Sequence, residues 1–209
     1  MKEIIDLIVN RRDFFLELLM EHLQISLISI ILAIIFGLII GVVISEYQKT
    51  SKIIMSIVNF IYTIPSISLL GFLIPLSGIG DTTAIIALTI YALLPMVRNT
   101  HTGLTNVNPL LLEAATGMGS TKFQVLYKIK LPLAIPVIIA GIRNMAVMTI
   151  SLAGIASFIG AGGLGVAIYR GITTNNKAMT IVGSLFIAVL AIVTDLVIGL
   201  VENKTKHHK

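Results

Sequence analysis

The chain has 209 residues, of which 56% are hydrophobic and 12% charged, with a net charge of +5 and no cysteine. Soluble domains carry about 25% charged residues, so this composition excludes an ordinary soluble protein and indicates one domain embedded in a lipid bilayer. Thiolate ligands are unavailable, the four histidines form no cluster with carboxylates, and the basic residues lie scattered between apolar blocks, so we expect no metal, no cofactor and no nucleic acid.

The N-terminal segment, residues 1–21, carries charges throughout and lacks the uninterrupted apolar core of a signal peptide. Apolar residues recur in it at helical spacing with charged residues between them. This pattern predicts an amphipathic helix that lies in the membrane interface, and a solvated leader is the alternative. The apolar positions are Ile4, Ile5, Ile8, Phe15, Leu18 and Leu19.

Five apolar stretches then follow as candidate transmembrane helices, each of which needs about 20 residues to cross the bilayer. The predicted spans are 23–44, 53–75, 82–97, 133–159 and 179–201. The third stretch is short, so its helix must be tilted, extended at its ends or set in locally thinned lipid. We therefore predict an all-α membrane protein with a transmembrane domain at 22–201 and a cytoplasmic tail at 202–209.

The second span contains Pro65, which stands between Thr63 and the serines Ser66 and Ser68. Proline leaves a backbone carbonyl without its helical partner, and nearby hydroxyl groups or a cavity can compensate for the loss. We expect a bend at which Tyr62, Pro65 and Ser66 line a path or a gate. A kink that serves only helix packing is the alternative.

The charges of the connectors predict the orientation of the spans. One set of connectors carries nine basic and three acidic residues, whereas the other carries five basic and six acidic residues. Because positively charged connectors stay on the cytoplasmic side, the first set is cytoplasmic. We therefore expect a multi-pass protein of the cell membrane whose N-terminus lies outside and whose C-terminus lies in the cytoplasm.

The longest cytoplasmic connector, residues 98–130, contains helix signals of its own. Asn108 followed by Pro109 is an N-cap and first-turn pair that starts a short helix. Gly117 or Gly119 can then supply the left-handed residue that ends this helix. A connector of this length without a function is uncommon.

A second short helix is predicted at 122–130, because Thr121 with Gln124 three residues later forms a capping box. The connector then has the shape of a helix, a turn and a helix. This shape suits docking against another protein, for which Glu113 offers a charge. An amphipathic connector that rests on lipid headgroups is the alternative.

Two charged residues fall inside predicted spans, Arg143 in the fourth and Asp195 in the fifth. A charge at the bilayer centre costs at least about 2.5 to 3.5 kcal/mol, so neither side chain should face lipid. We expect an ion pair between them. There are two alternatives: one of the two side chains lines the path, or the side chains extend towards the membrane interface. The neighbouring Asn144 is a second candidate for lining a path.

The stretch GAGGLG, residues 160–165, connects the fourth and fifth spans on the outer side. It follows no strand, so it does not predict a nucleotide site; we expect a flexible outer turn that either contacts a partner or only joins two helices. The chain also contains no G-x-x-x-x-G-K-[ST] motif. Any ATP hydrolysis must therefore belong to a separate subunit.

Seven residues of the long connector and of the two positions after it follow a fixed spacing. Three of them are consecutive, a glycine follows after three intervening residues, and the last three begin after nine further residues. They are Glu113, Ala114, Ala115, Gly119, Ile129, Leu131 and Pro132. This pattern resembles the EAA loop of the permease subunits of binding-protein-dependent ABC importers. The resemblance implies a type I importer fold with a five-helix core, in which this loop, with Gly117 in its turn, couples the spans to an ATPase.

Two further blocks, residues 62–100 and 157–172, resemble the permeases of osmoprotectant importers for glycine betaine, carnitine and choline. The resemblance implies a non-catalytic permease subunit that forms the path for such a solute. The implied partners are ABC ATPase subunits, a second permease of the same or a related chain, and an extracytoplasmic substrate-binding protein. The lack of tryptophan also favours a separate binding protein, because aromatic faces usually hold quaternary ammonium groups.

Three other functions stay open at this point. The block at 157–172 also resembles methionine-type importers, so a methionine permease is one alternative. An ion-driven secondary transporter is another, but it predicts paired inverted repeats, and the sequence contains no evident repeat. A structural membrane scaffold is the third.

Overall fold

The computed structural model describes residues 2–206, and every regular element within that range is helical. This confirms the predicted all-α fold; Met1 and residues 207–209 of the predicted tail lie outside the described residues. The helices are α1 Lys2–Asn10, α2 Arg12–Glu46, α3 Gln48–Thr63, α4 Ser66–Ser77, α5 Asp81–Thr105, α6 Pro109–Gly117, α7 Lys122–Val125, α8 Leu131–Ala153, α9 Gly165–Thr173 and α10 Lys177–Lys206.

The predicted count of five spans is reached among residues 2–206 if one bent helix pair counts as a single span, and the other four are single helices long and apolar enough to cross a membrane. They are α2, α5, the continuous helix Lys122–Ala153 and α10. The predicted second span is instead a pair of helices, α3 and α4, bent by 99°. Pro65 explains the break, because proline forces the preceding residue out of the helical region, and Ile64 accordingly has an extended backbone with ψ 126°.

The third span is longer than its apolar stretch. α5 runs for 25 residues and continues past Arg98 to Thr105. The short stretch is therefore extended at its C-terminal end, and an extension at the ends was one of the expected solutions. The helix does not end where the polar residues after Val97 begin, so these residues mark only the end of the apolar stretch.

The N-terminal segment is divided at Arg11, where α1 ends and α2 begins. The first turns of α2 pack on protein: Phe15 and Leu18 are buried in a cluster with residues of α9 and α10. The Phe15 and Phe186 rings meet edge to face with centroids 5.4 Å apart, and the Arg170 guanidinium lies 5.3 Å from the Phe14 ring. The interfacial position of α1 itself stays a prediction.

α5 lies at the centre of the fold, where it packs against both α2 and α8. Glycines allow the helix backbones to approach closely, as is common between membrane helices. A Cβ atom on Gly37 of α2 would lie 2.5 Å from the Met96 Cγ, and one on Gly141 of α8 would lie 2.5 Å from the Asn99 Cβ. This bundle positions the connector that follows α5.

Candidate functional site

The connector that follows α5 forms a compact turn between two helices, which we call the elbow and define as residues 108–132. Its first helix, α6, begins as predicted: Asn108 accepts a hydrogen bond from the Leu110 backbone N–H at 3.0 Å. After the helix ends at Gly117, Gly119 adopts a left-handed backbone with φ +85°. Of the two predicted glycines, Gly119 thus supplies the conformation that closes the turn.

The second helix of the elbow starts with the predicted capping box. The Thr121 N–H donates to the Gln124 Oε1 at 2.8 Å, and the Gln124 N–H donates to the Thr121 Oγ1 at 3.3 Å. A π-helical turn, Leu126–Lys130, then joins α7 to α8 without a break. The second helix of the elbow is therefore part of the same continuous helix as α8.

The residues of the EAA pattern divide between an exposed surface and that continuous helix. Glu113, Ala114, Gly117 and Gly119 are exposed, and a Cβ atom added to either glycine would meet no atom within 4 Å. Ala115 is buried behind this surface. The remaining residues lie in or beside the π-helical turn and are Ile129, Leu131 and Pro132.

A salt bridge connects the base of the elbow to the end of α2. The Lys130 Nζ lies 2.7 Å from the Glu46 Oε1 at the surface of the protein. The pair joins the elbow to a second span in addition to α8. Sequence reasoning counted both charges for orientation and missed this contact, because the residues are far apart along the chain.

The structure brings the two predicted intramembrane charges together. Both hydrogen bonds from the Arg143 guanidinium to the Asp195 carboxylate measure 2.6 Å, and a third bond reaches the Glu202 Oε2 at 3.0 Å. Glu202, which the sequence analysis assigned to the tail, is buried within α10. The sequence could have indicated this contact, because Asp195 and Glu202 are seven positions apart and therefore lie on the same face of a helix.

The bend in the second span brings together the residues predicted around it. The Tyr91 hydroxyl of α5 donates a hydrogen bond to the Ile64 carbonyl next to Pro65. The Tyr62 hydroxyl donates to the Met148 Sδ at 3.4 Å, and its ring meets the Tyr91 ring edge to face with centroids 5.8 Å apart. The Ile64 carbonyl, which has no helical partner at the break, thus finds one on another helix, which sequence reasoning did not identify.

The two neighbouring candidates on α8 have different environments. Arg143 is engaged by carboxylates of α10, whereas Asn144 is exposed. Ser66, at the first position of α4, is half-buried beside Tyr91 and Leu152. The side chains near the helix break and Asn144 therefore remain candidates for a path, and Arg143 belongs to a contact between helices.

The glycine-rich turn at 160–165 makes backbone hydrogen bonds to two acidic side chains. The Gly162 N–H donates to the Asp81 Oδ1 and the Gly163 N–H to the Glu21 Oε2, both at 2.8 Å. Next to Glu21, the His22 Nε2 donates to the Ile150 carbonyl at 3.0 Å. These contacts join α2, α5 and α8 to the turn, and the sequence analysis had counted the two acids only as connector charges.

Residues 33–207 match the family described as binding-protein-dependent transport system inner membrane component. The chain belongs to this family of membrane permeases. The match confirms the family that the spacing of the EAA residues indicated, and it includes the whole elbow, the helix break and the ion cluster.

Several characterised permeases are similar to this one over most of its length. The choline transport system permease protein OpuBB of Bacillus subtilis is 43% identical over 88% of this chain and 85% of its own. The carnitine transport permease protein OpuCD of Listeria monocytogenes is 40% identical over 97% of this chain and 91% of its own. Its relatives are thus permeases of osmoprotectant transport systems.

The fold of the permease is similar to a solved ABC importer. The MetNI methionine ABC transporter in an inward-facing conformation contains a chain with a TM-score of 0.82 and 24% identity, covering 88% of this permease and 93% of that chain. This likeness confirms the type I importer fold. It carries no information about the solute, because the identity is low.

Proposed function

We propose that this permease forms the path of an ATP-driven importer for compatible solutes with a quaternary ammonium group, such as choline, carnitine or glycine betaine. The observation that carries the proposal is the identity of 43% and 40% to choline and carnitine permeases over nearly the whole chain. The chain is a non-catalytic subunit in this proposal, and separate ABC ATPase subunits supply the energy.

In this proposal the elbow is the contact with the ATPase. Its surface around Glu113 and Ala114 is exposed, and small side chains there allow a partner to approach the backbone closely. Closure of the ATPase on binding ATP pulls the elbow, and the continuous helix from Lys122 to Ala153 carries the displacement into the membrane. The salt bridge between Lys130 and Glu46 includes α2 in the same movement.

The path itself needs a second permease subunit, either another copy or a related chain, because one bundle of this size does not enclose a route for a solute. On this chain the residues proposed to line it are Tyr62, Pro65, Ser66 and Asn144. An extracytoplasmic binding protein delivers the solute to the outer side, where the N-terminus also lies, while the C-terminus is cytoplasmic.

The alternatives are less well supported. A methionine permease rests on the block at 157–172 and on likeness of fold, because the methionine transporter is only 24% identical. An ion-driven secondary transporter or a scaffold does not agree with membership of a family of binding-protein-dependent transport systems.

Reconstitution of the complete importer in proteoliposomes tests the proposal. We expect ATP-dependent accumulation of radiolabelled choline, carnitine or glycine betaine when ATPase and loaded binding protein are present. A non-hydrolysable ATP analogue and a sample with labelled methionine serve as controls. Uptake that persists without ATP hydrolysis, or that is confined to methionine, would contradict the proposal.

A further inference from the structure

We propose that the ring of Tyr62 is a transit site for the quaternary ammonium group of the solute in the outer half of the membrane. This inference rests on the proposed function. It assigns to one side chain the contact that a permanently charged solute needs while it crosses an apolar layer. Three independent features of the structure lead to it.

The first feature is the helix break. Tyr62 lies at the C-terminal end of α3, directly before the extended residues Ile64 and Pro65 and the bend of 99°. Interrupted helices are tolerated in membranes where the irregular backbone is buried in protein or lines a water-filled cavity, and in transporters they mark solute sites. Tyr62 lies about 20 Å along α3 from Lys49, at a rise of 1.5 Å per residue, which places it beyond the membrane centre.

The second feature is the way in which the ring is held. Tyr91 is buried, its hydroxyl binds the Ile64 carbonyl, and its ring contacts the Tyr62 ring edge to face. The Tyr62 hydroxyl is held by the Met148 Sδ. Although fixed at both ends, Tyr62 retains 43% of its accessible surface. It is an oriented aromatic ring with exposed surface, which is the group that binds quaternary ammonium ions.

The third feature is the polarity of the surface next to the ring. Asn144, Met148 and Ser151 lie on one face of α8, since their spacings of four and three residues bring side chains into line. Asn144 and Ser151 are exposed. The Ser151 hydroxyl donates to the Val147 carbonyl of its own helix, but an exposed amide such as that of Asn144 does not suit contact with lipid, so we infer that this face of α8 borders a polar path. The hydrogen bond from Tyr62 to Met148 places the ring at that face.

The chemistry of the site favours a quaternary ammonium group over a primary amine. A quaternary ammonium group has no N–H to donate, so it gains little from oxygen acceptors and binds well to the negative face of an aromatic ring. The nearest cation along α8, Arg143, is turned to the carboxylates of α10 and does not oppose the solute there. Transient stabilisation at Tyr62 lowers the barrier to transfer.

The test reduces the negative charge on the face of the ring at position 62 stepwise, and it uses the reconstituted importer. Tyr62 is replaced by phenylalanine and then by mono-, di- and trifluorophenylalanine, because each fluorine withdraws charge from the ring face with little change in size. Initial uptake is measured with labelled choline, or with carnitine or glycine betaine if the wild type accumulates that solute instead. We expect Tyr62→Phe to retain most uptake and the logarithm of the rate to fall with each fluorine.

Two leucine variants give a matched comparison. Tyr62→Leu should lower uptake about five- to tenfold, in keeping with the strength of such contacts. Phe60→Leu should stay within about twofold, because Phe60 is 70% exposed on another side of the same helix. If Tyr62→Leu does not fold, the fluorinated series still decides.

The outcomes separate the two proposals. A wild-type importer that accumulates the solute, together with a flat fluorine series, overturns the transit site and leaves the proposed function intact. A wild-type importer that accumulates none of the three solutes overturns the proposed function and the transit site with it. A fall in uptake with fluorine number, while the ATPase stimulation by loaded binding protein is unchanged, supports the transit site.

Discussion

Arg143 is a single charged residue within a predicted span that is stabilised by carboxylates of a neighbouring helix. Its guanidinium binds Asp195 through two hydrogen bonds and Glu202 through a third. About a third of the side-chain surface of Arg143 and Asp195 remains exposed, with 33% and 39%, whereas Glu202 is buried. One cation thus neutralises two carboxylates of the same helix, and the loss of the cation should be worse than the loss of either acid.

We expect Arg143→Met to destabilise the purified permease more than Asp195→Asn does. Removal of the arginine takes the shared cation away from two carboxylates on one face of α10, whereas removal of Asp195 leaves the pair of Arg143 with Glu202. Thermal unfolding in detergent, followed by size-exclusion chromatography, measures the order of stability.

The combination of Arg143→Met with Asp195→Asn and Glu202→Gln provides the control for that order. It removes both negative charges together with the cation, so stability should recover above that of Arg143→Met alone. If the triple variant is no more stable than the single one, packing around residue 143 matters more than charge.

The elbow is the element whose geometry depends most on one residue. α6 is fixed by the Asn108 cap and α7 by the capping box of Thr121 and Gln124, so the angle between them is set by the turn at Gly119. A side chain in the left-handed region costs about 1–2 kcal/mol, which the turn can relieve by changing its conformation. The surface around Glu113 would then move relative to α8.

We expect Gly119→Val to leave membrane insertion intact and to lower solute uptake about fivefold or more, while ATPase activity of the complex persists. A Cβ atom at this position meets no atom within 4 Å, so the effect comes from the backbone angle and not from a clash. Gly117→Ala adds a methyl group to the same exposed surface without a positive φ, and its effect should be smaller. Equal losses in both variants would contradict a role for the turn conformation.

The contact between the helices α2 and α5 also depends on a glycine. Gly37→Leu should destabilise the bundle by about 1–3 kcal/mol or more, because the new side chain would collide with Met96 in the densely packed centre. Gly71→Leu on α4 is the matched control, since a Cβ atom there meets no atom within 4 Å. The monodisperse fraction after extraction in mild detergent measures the difference, and similar yields of both variants would argue against close packing of α2 on α5.

The orientation in the membrane is a property of the whole molecule. The elbow and the end of α10 lie on the side with the excess of basic residues, and the glycine-rich turn held by Glu21 and Asp81 lies on the other side. The positive-inside rule then predicts that the elbow faces the cytoplasm. This direction is required if an ATPase is to reach it.

Single cysteines test the orientation without background, because the chain has none of its own. We expect a membrane-impermeant maleimide to label Thr174→Cys in intact right-side-out vesicles and to label Asn106→Cys only after the membrane is permeabilised. Both positions are exposed. The reverse pattern of labelling would overturn the predicted orientation of the termini.

Much of the fold and part of the site could be predicted from the sequence. The caps at Asn108 and Thr121 act within a few residues, so local patterns predicted them correctly. The break at Pro65 was expected as a bend, but its size was not, because the angle depends on how α4 packs against α5 and on the partner that Tyr91 offers to the Ile64 carbonyl. The continuity of α7 with α8 was hidden by the composition, which changes at the membrane surface while the helix continues.

By itself the sequence determined the membrane environment, the helical class, the position of the elbow and the family, because composition, apolar length and motif spacing are local properties of the chain. Only the tertiary structure decided that Glu202 completes the Arg143 cluster, that Glu21 and Asp81 hold the outer turn, and that Tyr62 meets Met148. These partners come from different helices, and their separation in the chain carries no signal of contact. The packing of α2, α5 and α8 around one another sets which of them meet.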